Sequence, residues 1–399
     1  MNVYLVGGAV RDLLLGRLPR EWDYAFDGSR QAFLAEHPDA EAVGAVQVCL
    51  WRGCEFMPLR GASLLDDLRA RDLTINALAL DAAGRLHCHP QALHDLRHRL
   101  LRPASPTALA DDPGRAFRLA RFAACLPDWR LAPEAEEQLH RLAPAALAAL
   151  PAERVARELL KALDGPAPGR FLRVLAAGGR LSPWFAELEE AGRIPAGPPL
   201  WHGDASVLDH TCTVMDRCAG DALAAWMALC HDLGKLRTPP DRWPHHYGHD
   251  ALGVPVAQAL CRRLALSNLH LKAAGTACAE HMRAGRYDEL GVGTRRDLLW
   301  RVERQGLSRP FWRLVDADSR HDWSERAEKE LAVLRAVRLP HEWRNRGPES
   351  ARQLRELHCA ALAAAADGFL REGEPLSLAR KGVPPPAPSP SPNALYREG

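Results

Sequence analysis

The sequence predicts an α+β head followed by two all-α regions. Short strand-like runs rich in β-branched and aromatic residues are confined to about the first eighty residues, and Leu, Ala and Arg recur at helical spacing almost without break from about Pro106 onward. The chain ends in a Pro- and Ser-rich stretch, KGVPPPAPSPSPNALYREG, which cannot bury a core and is expected to be disordered. At 399 residues the chain is too long for a single core. The expected division is a head over 1–122, a helical neck over 123–200, a second helical domain over 201–325, C-terminal helices over 326–380 and a tail over 381–399. The fold class is thus a short mixed sheet with helices, then an all-α neck and an all-α domain.

The elements follow in order. Val3–Val6 reads as a strand and Ala9–Leu15 as the start of a helix; Trp22–Phe26 reads as a second strand, and Ala42–Leu50 with Glu55–Leu59 as a strand pair. RAFRLARFAA, PAALAAL and RVARELLKAL carry apolar residues three and four apart. Ala191–Leu200, AGRIPAGPPL, reads as a linker, and a second helical block runs from about Leu208 to Leu370.

Composition narrows the function classes. Hydrophobic residues make up 47% and charged residues 26%, which excludes a mostly disordered chain, and no long uncharged apolar stretch predicts a membrane helix. The N-terminus lacks the basic start of a signal peptide. Ten cysteines never fall at C-x-x-C spacing, so reduced thiols in a cytoplasm are expected rather than a disulfide framework or a zinc ribbon. The net charge of +2 declares no polyanionic partner in bulk, but the cations are five lysines against 47 arginines. Coding bias explains the ratio, although clustered arginines are the better bidentate phosphate ligands.

Several motifs carry chemistry. Gly7-Gly8 lies between a strand and a helix opening Val10-Arg11-Asp12; two glycines let the backbone approach a ligand, and the exposed amides with Arg11 suit a triphosphate, although alone the pair reads as an ordinary tight turn. Glu21-Trp22-Asp23 places two carboxylates at i and i+2, on one face if the segment is a strand, where a hard cation between them relieves the repulsion; Glu55 is a third candidate. Arg71, Asp72 and Asn76 in RDLTINALAL are spaced to share a face, and Asp111-Asp112 precede arginines 115, 118 and 121 at three-residue intervals.

GGAVRDLLLG, E-W-D, RDLTINALAL, DDPGRAFRLARFAA and PAERVARELLKAL, in this order, resemble the class II tRNA nucleotidyltransferases, the bacterial CCA-adding enzymes and their poly(A) polymerase relatives of the polymerase-beta superfamily. The resemblance spans most of residues 1–370. It implies transfer of CMP or AMP from CTP or ATP to a tRNA 3′ hydroxyl with release of pyrophosphate. By motif position, Gly8 and Arg11 would hold the triphosphate, Glu21 and Asp23 would bind Mg2+ as the catalytic carboxylates, and Arg71 would contact the nucleotide. Asp112 and Arg115 would present a protein template to the base, with Arg118 assisting at the phosphates. The chain departs from the family at Glu21, where the pattern has Asp, at His89-Pro90, where it has Asp-Pro, and at Ala70, where it has Arg. Only Gly61–Leu65 separate Arg60 from Asp66, where the family usually has some twenty more residues forming a loop implicated in the switch from C to A. Addition of CC alone is therefore one expectation.

In the second helical block, His231-Asp232 sits in an apolar helical context, where an unpartnered buried pair would be costly and where imidazole with carboxylate suits a borderline divalent ion. His210 and Asp318 complete a set, and H-T, H-D-L-G-K and H-x-G-H occur in that order. This segment resembles the HD phosphohydrolase domain appended to some bacterial CCA-adding enzymes, which implies metal-dependent 2′,3′-cyclic phosphodiesterase, 2′-nucleotidase and phosphatase activities. The resemblance gives His210, His231, Asp232 and Asp318 as ligands of an ion such as Ni2+, Mn2+ or Co2+. His245, His246, His249 and His281 are supporting or substrate-contacting candidates, and Lys235 is either a phosphate contact or a solvated helix end. Two other readings use the same residues: an active HD domain on a tRNA-docking head, or a non-catalytic RNA-binding paralogue. The poly(A) polymerase reading fits less well, since those relatives usually carry a basic tail. The sequence leaves monomer and homodimer open.

Overall fold

The computed structural model describes residues 1–43, 47–202 and 205–366. The head is built on a seven-stranded sheet in the order β3-β4-β5-β2-β1-β6-β7. Its strands are β1 (Val3–Val6), β2 (Asp23–Phe26), β3 (Glu41–Val43), β4 (Val48–Trp51), β5 (Cys54–Pro58), β6 (Leu78–Leu80) and β7 (Leu86–Cys88). Neighbours run antiparallel except β2 and β5, which are parallel with Asp23 opposite Glu55. The expected strand Ala42–Leu50 is instead two strands, β3 and β4, paired antiparallel. The β4–β5 turn places Arg52 at φ 51° and Gly53 at φ 78°, the left-handed pair that a two-residue hairpin favours.

The head helices are α1 (Gly8–Leu14), α2 (Arg30–Glu36), α3 (Leu64–Arg69), α4 (Ala92–His98) and α5 (Ala108–Asp111). Two apolar clusters hold them. Val6, Ala25, Leu68, Ala77 and Ala79 bury the sheet centre, and Phe26, Phe33, Cys49 and Phe56 bury its outer half, with Phe26 stacked on Phe33 at 4.5 Å. The short connection after Arg60 is closed by a buried carboxylate: Asp67 Oδ1 accepts from both the backbone N (3.2 Å) and Nε (2.9 Å) of Arg60. Ser63 caps α3, its Oγ accepting from Asp66 N.

The helices that follow are α6 (Arg115–Cys125), α7 (Pro133–Arg141), α8 (Pro144–Ala148), α9 (Ala152–Leu163), α10 (Gly169–Ala177) and α11 (Pro199–His202). The strands β8 (Leu100–Leu101), between α4 and α5, and β9 (Arg130–Leu131), between α6 and α7, form a separate parallel pair. Next come α12 (Val207–Arg217), α13 (Ala222–Cys230), α14 (His249–Arg263), α15 (Asn268–Ala284), α16 (Val292–Arg304), α17 (Ser308–Ser319), α18 (Ser324–Ala336) and α19 (Pro348–Ala366). Helix α13 is buried from Ala224 to Cys230, as its uniformly apolar sequence requires.

Residues 191–200 are not a loose linker. Ala191, Ile194 and Ala196 are buried, and the Ala196 carbonyl accepts from Lys235 Nζ. Gly169 shows how closely α10 meets α12, since a Cβ there would fall 2.1 Å from the Cys212 carbonyl oxygen. Among the described residues, 1–288 and 302–324 form one compact unit, and 289–301 with 325–366 form another. In the second unit, Arg296 Nε donates to His358 Nδ1 (3.1 Å) and Arg295 pairs with Glu330. No helix among the described residues is long and apolar enough to cross a membrane. None of the ten cysteines is bridged, and burial pushes the thiols of Cys212 and Cys218 up to about 12. The expected disordered tail, and the C-terminal helices beyond 366, lie outside the described residues.

Candidate functional sites in the head and the second helical region

In the head, the sheet register assembles the first site. Val6 pairs with Asp23, so the Gly7-Gly8 turn leaves the sheet beside that carboxylate, and Asp23 faces Glu55 across the parallel pair. Glu21 lies outside the strand, which begins only at Asp23, so the expected i, i+2 face does not form. Glu21 still acts on Asp23: burial first, then the charges of Glu55 and Glu21, raise the Asp23 carboxyl above its usual range, while Arg71 and Lys161 oppose them. A cluster of carboxylates held this way is the donor set that a hard divalent cation requires.

Gly7 sits at φ 74°, and a Cβ there would lie 3.0 Å from Arg71 Nη1, which brings the Arg71 guanidinium against the turn. Arg71 is itself held by Asp67, at 2.9 and 3.0 Å to Oδ2. Gly8 opens α1, and one turn on Arg11 donates to Asn76 Oδ1 (2.7 Å) and to Asp12. Asn76 in turn donates to Asp72, and Asp72 accepts from Arg118 Nε (2.9 Å). Arg71, Asp72 and Asn76 therefore converge, through a bend and a 3-10 turn over Thr74–Asn76 rather than along one helix face. Burial opposes ionisation of Asp72, but Arg118 and the donors from Asn76 and Leu73 outweigh it and hold the carboxyl at about 2.

Asp112 ends α5 as its cap, and Arg115 begins α6. Arg115 donates to the carbonyls of Ala70 (2.6 Å) and Ala108 (3.2 Å), with its Nε 3.7 Å from Asp112 Oδ2. Asp112 is gripped from α9 by Arg154 Nη2 (2.5 Å). Arg154 and Asp67 escaped the sequence reading. Arg154 lies in PAERVARELLKAL, which carries the family resemblance and a helical period but gives this side chain no role, and no local pattern around Asp67 marks it as the partner of Arg60 and Arg71.

The second site surrounds Asp232. His210 and His231 bring their Nε2 atoms within 3.3 and 3.1 Å of Oδ2, while His249 and His281 bring theirs within 3.3 and 3.5 Å of Oδ1. Asp318 Oδ1 stands 3.1 Å from His210. Two triads result, His210–His231–Asp232 and Asp232–His249–His281, sharing one carboxylate. His249 and His281, expected only in a supporting role, hold the same relation to Asp232 as the first pair. Three of the four rings are oriented by backbone carbonyls: Nδ1 of His231, His249 and His281 lies 2.7, 2.7 and 2.9 Å from the oxygens of Ala228, His246 and Ala277. A carbonyl only accepts, so Nδ1 carries the proton and, in the neutral ring, Nε2 presents a lone pair.

These groups fit divalent ions. Within each pair the Nε2 atoms lie 3.3 Å apart, the spacing of two nitrogens that share one ion at about 2.1 Å. Asp232 is 1% exposed, and neither of its carboxylate oxygens receives a well-directed hydrogen bond, although Lys235 Nζ stands 2.7 Å from Oδ2. Burial opposes charge on Asp232, but His231 and Lys235 hold its carboxyl well below the usual range; Asp232 and Asp318 overcome burial to raise His210 to about 9. Lys235 is buried between Asp232 and the Ala196 carbonyl, so it is not a solvated helix end. His246 braces the Thr238 hydroxyl against the Pro195 carbonyl rather than facing the triads. Gly234 makes the arrangement possible: a Cβ there would fall 1.8 Å from the His249 carbonyl oxygen, so only glycine lets α14 bring His249 to Asp232.

Two family models match part of the head and the helices that follow it. The family described as "Poly A polymerase head domain" matches residues 3–41, and the one described as "Probable RNA and SrmB- binding site of polymerase A" matches residues 128–191. A "Multifunctional CCA protein" of Methylococcus capsulatus is 36% identical over 404 residues, covering 91% of this chain and 94% of the relative. The chain belongs to the class II CCA-adding and poly(A) polymerase family. A second family member of that name, from Alkalilimnicola ehrlichii, is 37% identical and covers 80% of this chain and 84% of the relative. Among solved structures, the Bacillus stearothermophilus CCA-adding enzyme in complex with CTP superposes with a TM-score of 0.64 at 23% identity, covering 92% of this chain and 89% of that one. The Thermotoga maritima CCA-adding enzyme complexed with tRNA gives 0.60 at 17% identity, covering 93% and 88%. These two likenesses show the family's fold: a head with a mixed sheet, then a helical remainder.

Proposed function

We propose that this chain is a template-independent tRNA nucleotidyltransferase that adds CMP and AMP from CTP and ATP to the tRNA 3′ end, and that its second helical region is a metal-dependent phosphohydrolase. The observation that carries the first activity is the convergence, in a chain of this family, of the Asp23–Glu55 pair and the guanidinium of Arg71 on the Gly7-Gly8 turn. In the reaction the tRNA 3′ hydroxyl attacks the α-phosphorus and pyrophosphate leaves. The backbone of the Gly7-Gly8 turn, Arg11 and Arg71 bind and orient the triphosphate. The pairing of Arg11 with Asn76 and Asp12, and of Arg71 with Asp67, fixes both guanidiniums before substrate arrives. Asp23 and Glu21, with Glu55, would hold Mg2+, which would supply charge neutralisation of the triphosphate and activation of the hydroxyl. Asp112, an acceptor, and Arg115, a donor, read the Watson–Crick edge of C or A, and Arg154 sets the Asp112 side chain. Arg118, drawn to Asp72, assists at the phosphates. The neck over 123–200 takes the tRNA, in keeping with the family match at 128–191.

In the second site His210, His231, Asp232 and Asp318 would hold one transition ion such as Ni2+, Mn2+ or Co2+, and His249 and His281, with Asp232, would hold a second. Divalent ions held there would supply Lewis-acid polarisation of a phosphate ester and activation of a water. The carbonyl-bound Nδ1 protons keep the three rings aimed, and Lys235 keeps Asp232 ionised. A cytoplasmic setting accords with ten free cysteines.

Paired variants test the assignment. Asp23→Ala lowers nucleotide addition by about a hundredfold or more while tRNA binding and phosphohydrolase activity persist, and Asp232→Ala does the converse. Wild-type incorporation by Asp23→Ala would overturn the head assignment. Metal-stimulated phosphate release by a folded Asp232→Ala protein would overturn the second.

A further inference from the structure

A cavity of about 660 Å³ opens over the second site, with Asp232, His249, His281 and Asp318 in its lining. Its wall also carries groups that metal binding does not use. Tyr247 is 73% exposed, and its ring lies parallel to that of His245, with centroids 5.7 Å apart and planes 12° apart. An exposed aromatic of this size, already stacked on a second flat ring, offers a face to a third. The segment that bears them is anchored, not loose. His246, between the two rings, is buried and pinned to the Thr238 hydroxyl and the Pro195 carbonyl, so its neighbours are turned outward. Gly248 then takes a left-handed φ of 77° and delivers the chain into α14 at His249. The platform and a metal-ligating side chain are thus two residues apart on one rigid turn. Arg320, two residues after Asp318 and itself in the left-handed region at φ 58°, adds an exposed cation to the same cavity.

The chemistry on the two parts of the cavity is complementary: a cation-holding floor takes a phosphate, and a flat, exposed aromatic wall takes a planar ring. We propose that Tyr247, backed by His245, is the base-stacking subsite of this cavity and the residue that makes it favour nucleoside phosphates over phosphate esters without a base. Arg320 meets the ribose or phosphate side of the same ligand. This rests on the phosphohydrolase reading above.

The test uses the full chain loaded with Mn2+, Ni2+ or Co2+ and measures phosphate release from adenosine 2′-monophosphate, from a short RNA bearing a terminal 2′-phosphate, and from glycerol 2-phosphate, which has no base. In the wild type, KM is lower for the adenosine ester than for the glycerol ester. Tyr247→Ala reduces that preference by about 5- to 150-fold, the worth of one base–aromatic stack, and Tyr247→Phe retains it. Because the readout is a ratio, a general loss of folding or metal cancels. Loss of preference in the RNA arm identifies the end of an RNA as the ligand, whereas loss confined to the mononucleotide identifies the free nucleotide. A preference that survives Tyr247→Ala overturns the proposal. Failure of the wild type to release phosphate from every ester would instead refute the phosphohydrolase reading. The subsite is then decided by equilibrium binding of adenosine 2′-monophosphate with CTP saturating the head, where equal affinity of wild type and Tyr247→Ala overturns it.

Discussion

Replacing Gly234 by alanine is the sharpest mechanical test of the second site. The added Cβ would fall 1.8 Å from the His249 carbonyl oxygen and 2.6 Å from Gly253 N, so backbone rather than a flexible side-chain tip must move. A carbon and an oxygen in van der Waals contact stand about 3.3 Å apart, so the two segments must part by about 1.5 Å. Overpacking of this kind costs about 1–3 kcal/mol. The larger effect is on geometry. Asp232 begins the turn that holds Gly234, and His249 begins α14, so the separation opens the 3.3 Å distance between Asp232 Oδ1 and His249 Nε2. Metal ligands tolerate displacements of only a few tenths of an ångström, so the ion held by His249 and His281 should bind about 10- to 100-fold more weakly. Metal titration by calorimetry, with stoichiometry checked by elemental analysis, reads the change, while nucleotide addition stays at wild-type level. A Gly234→Ala protein with wild-type melting temperature and undiminished metal content would refute the reasoning.

Other outcomes follow from the same structure. His358 is fully buried in the C-terminal unit, and burial, then the Arg296 charge, lower its pKa from 6.5 to about 4. The unfolded chain therefore takes up this proton first, and stability falls as pH drops from about 6.5 to about 4, by at most about 3 kcal/mol; His358→Gln flattens that part of a denaturation–pH profile. Arg118→Met leaves the buried Asp72 carboxylate without its cation and should cost about 1–3 kcal/mol at pH 7 in urea unfolding, beyond any loss of triphosphate affinity. With only Gly61–Leu65 in the connection that Asp67 clamps to Arg60, CMP incorporation should exceed AMP incorporation by about tenfold or more in steady-state assays, and equal rates would show that another segment reshapes the pocket.

What the sequence could show and what it could not divide along physical lines. Motif order exposed the family, and the switch from strand to helical period exposed the α+β head and helical remainder, because both are local patterns. The split of Ala42–Leu50 into β3 and β4 was hidden, since both halves are apolar runs that read as one strand. Residues 191–200 looked like a linker because Pro and Gly dominate them, yet Ala191 and Ala196 pack into the core and the Ala196 carbonyl meets Lys235, contacts that only tertiary structure reveals. Asp232 was legible from H-D-L-G-K, but the equivalence of the pairs His210–His231 and His249–His281 was not, because it depends on α12, α14 and α15 meeting around one carboxylate. The Gly234 requirement was hidden for the same reason.

Nucleotide addition is the activity assigned to the head. The most direct measurement incubates the protein with a tRNA lacking its terminal CCA, Mg2+ and labelled CTP or ATP, and resolves product length on a sequencing gel. The account predicts CTP-dependent extension by two nucleotides, abolished by Asp23→Ala, with AMP added more slowly or not at all. A tRNA left unextended by the wild-type protein would contradict it.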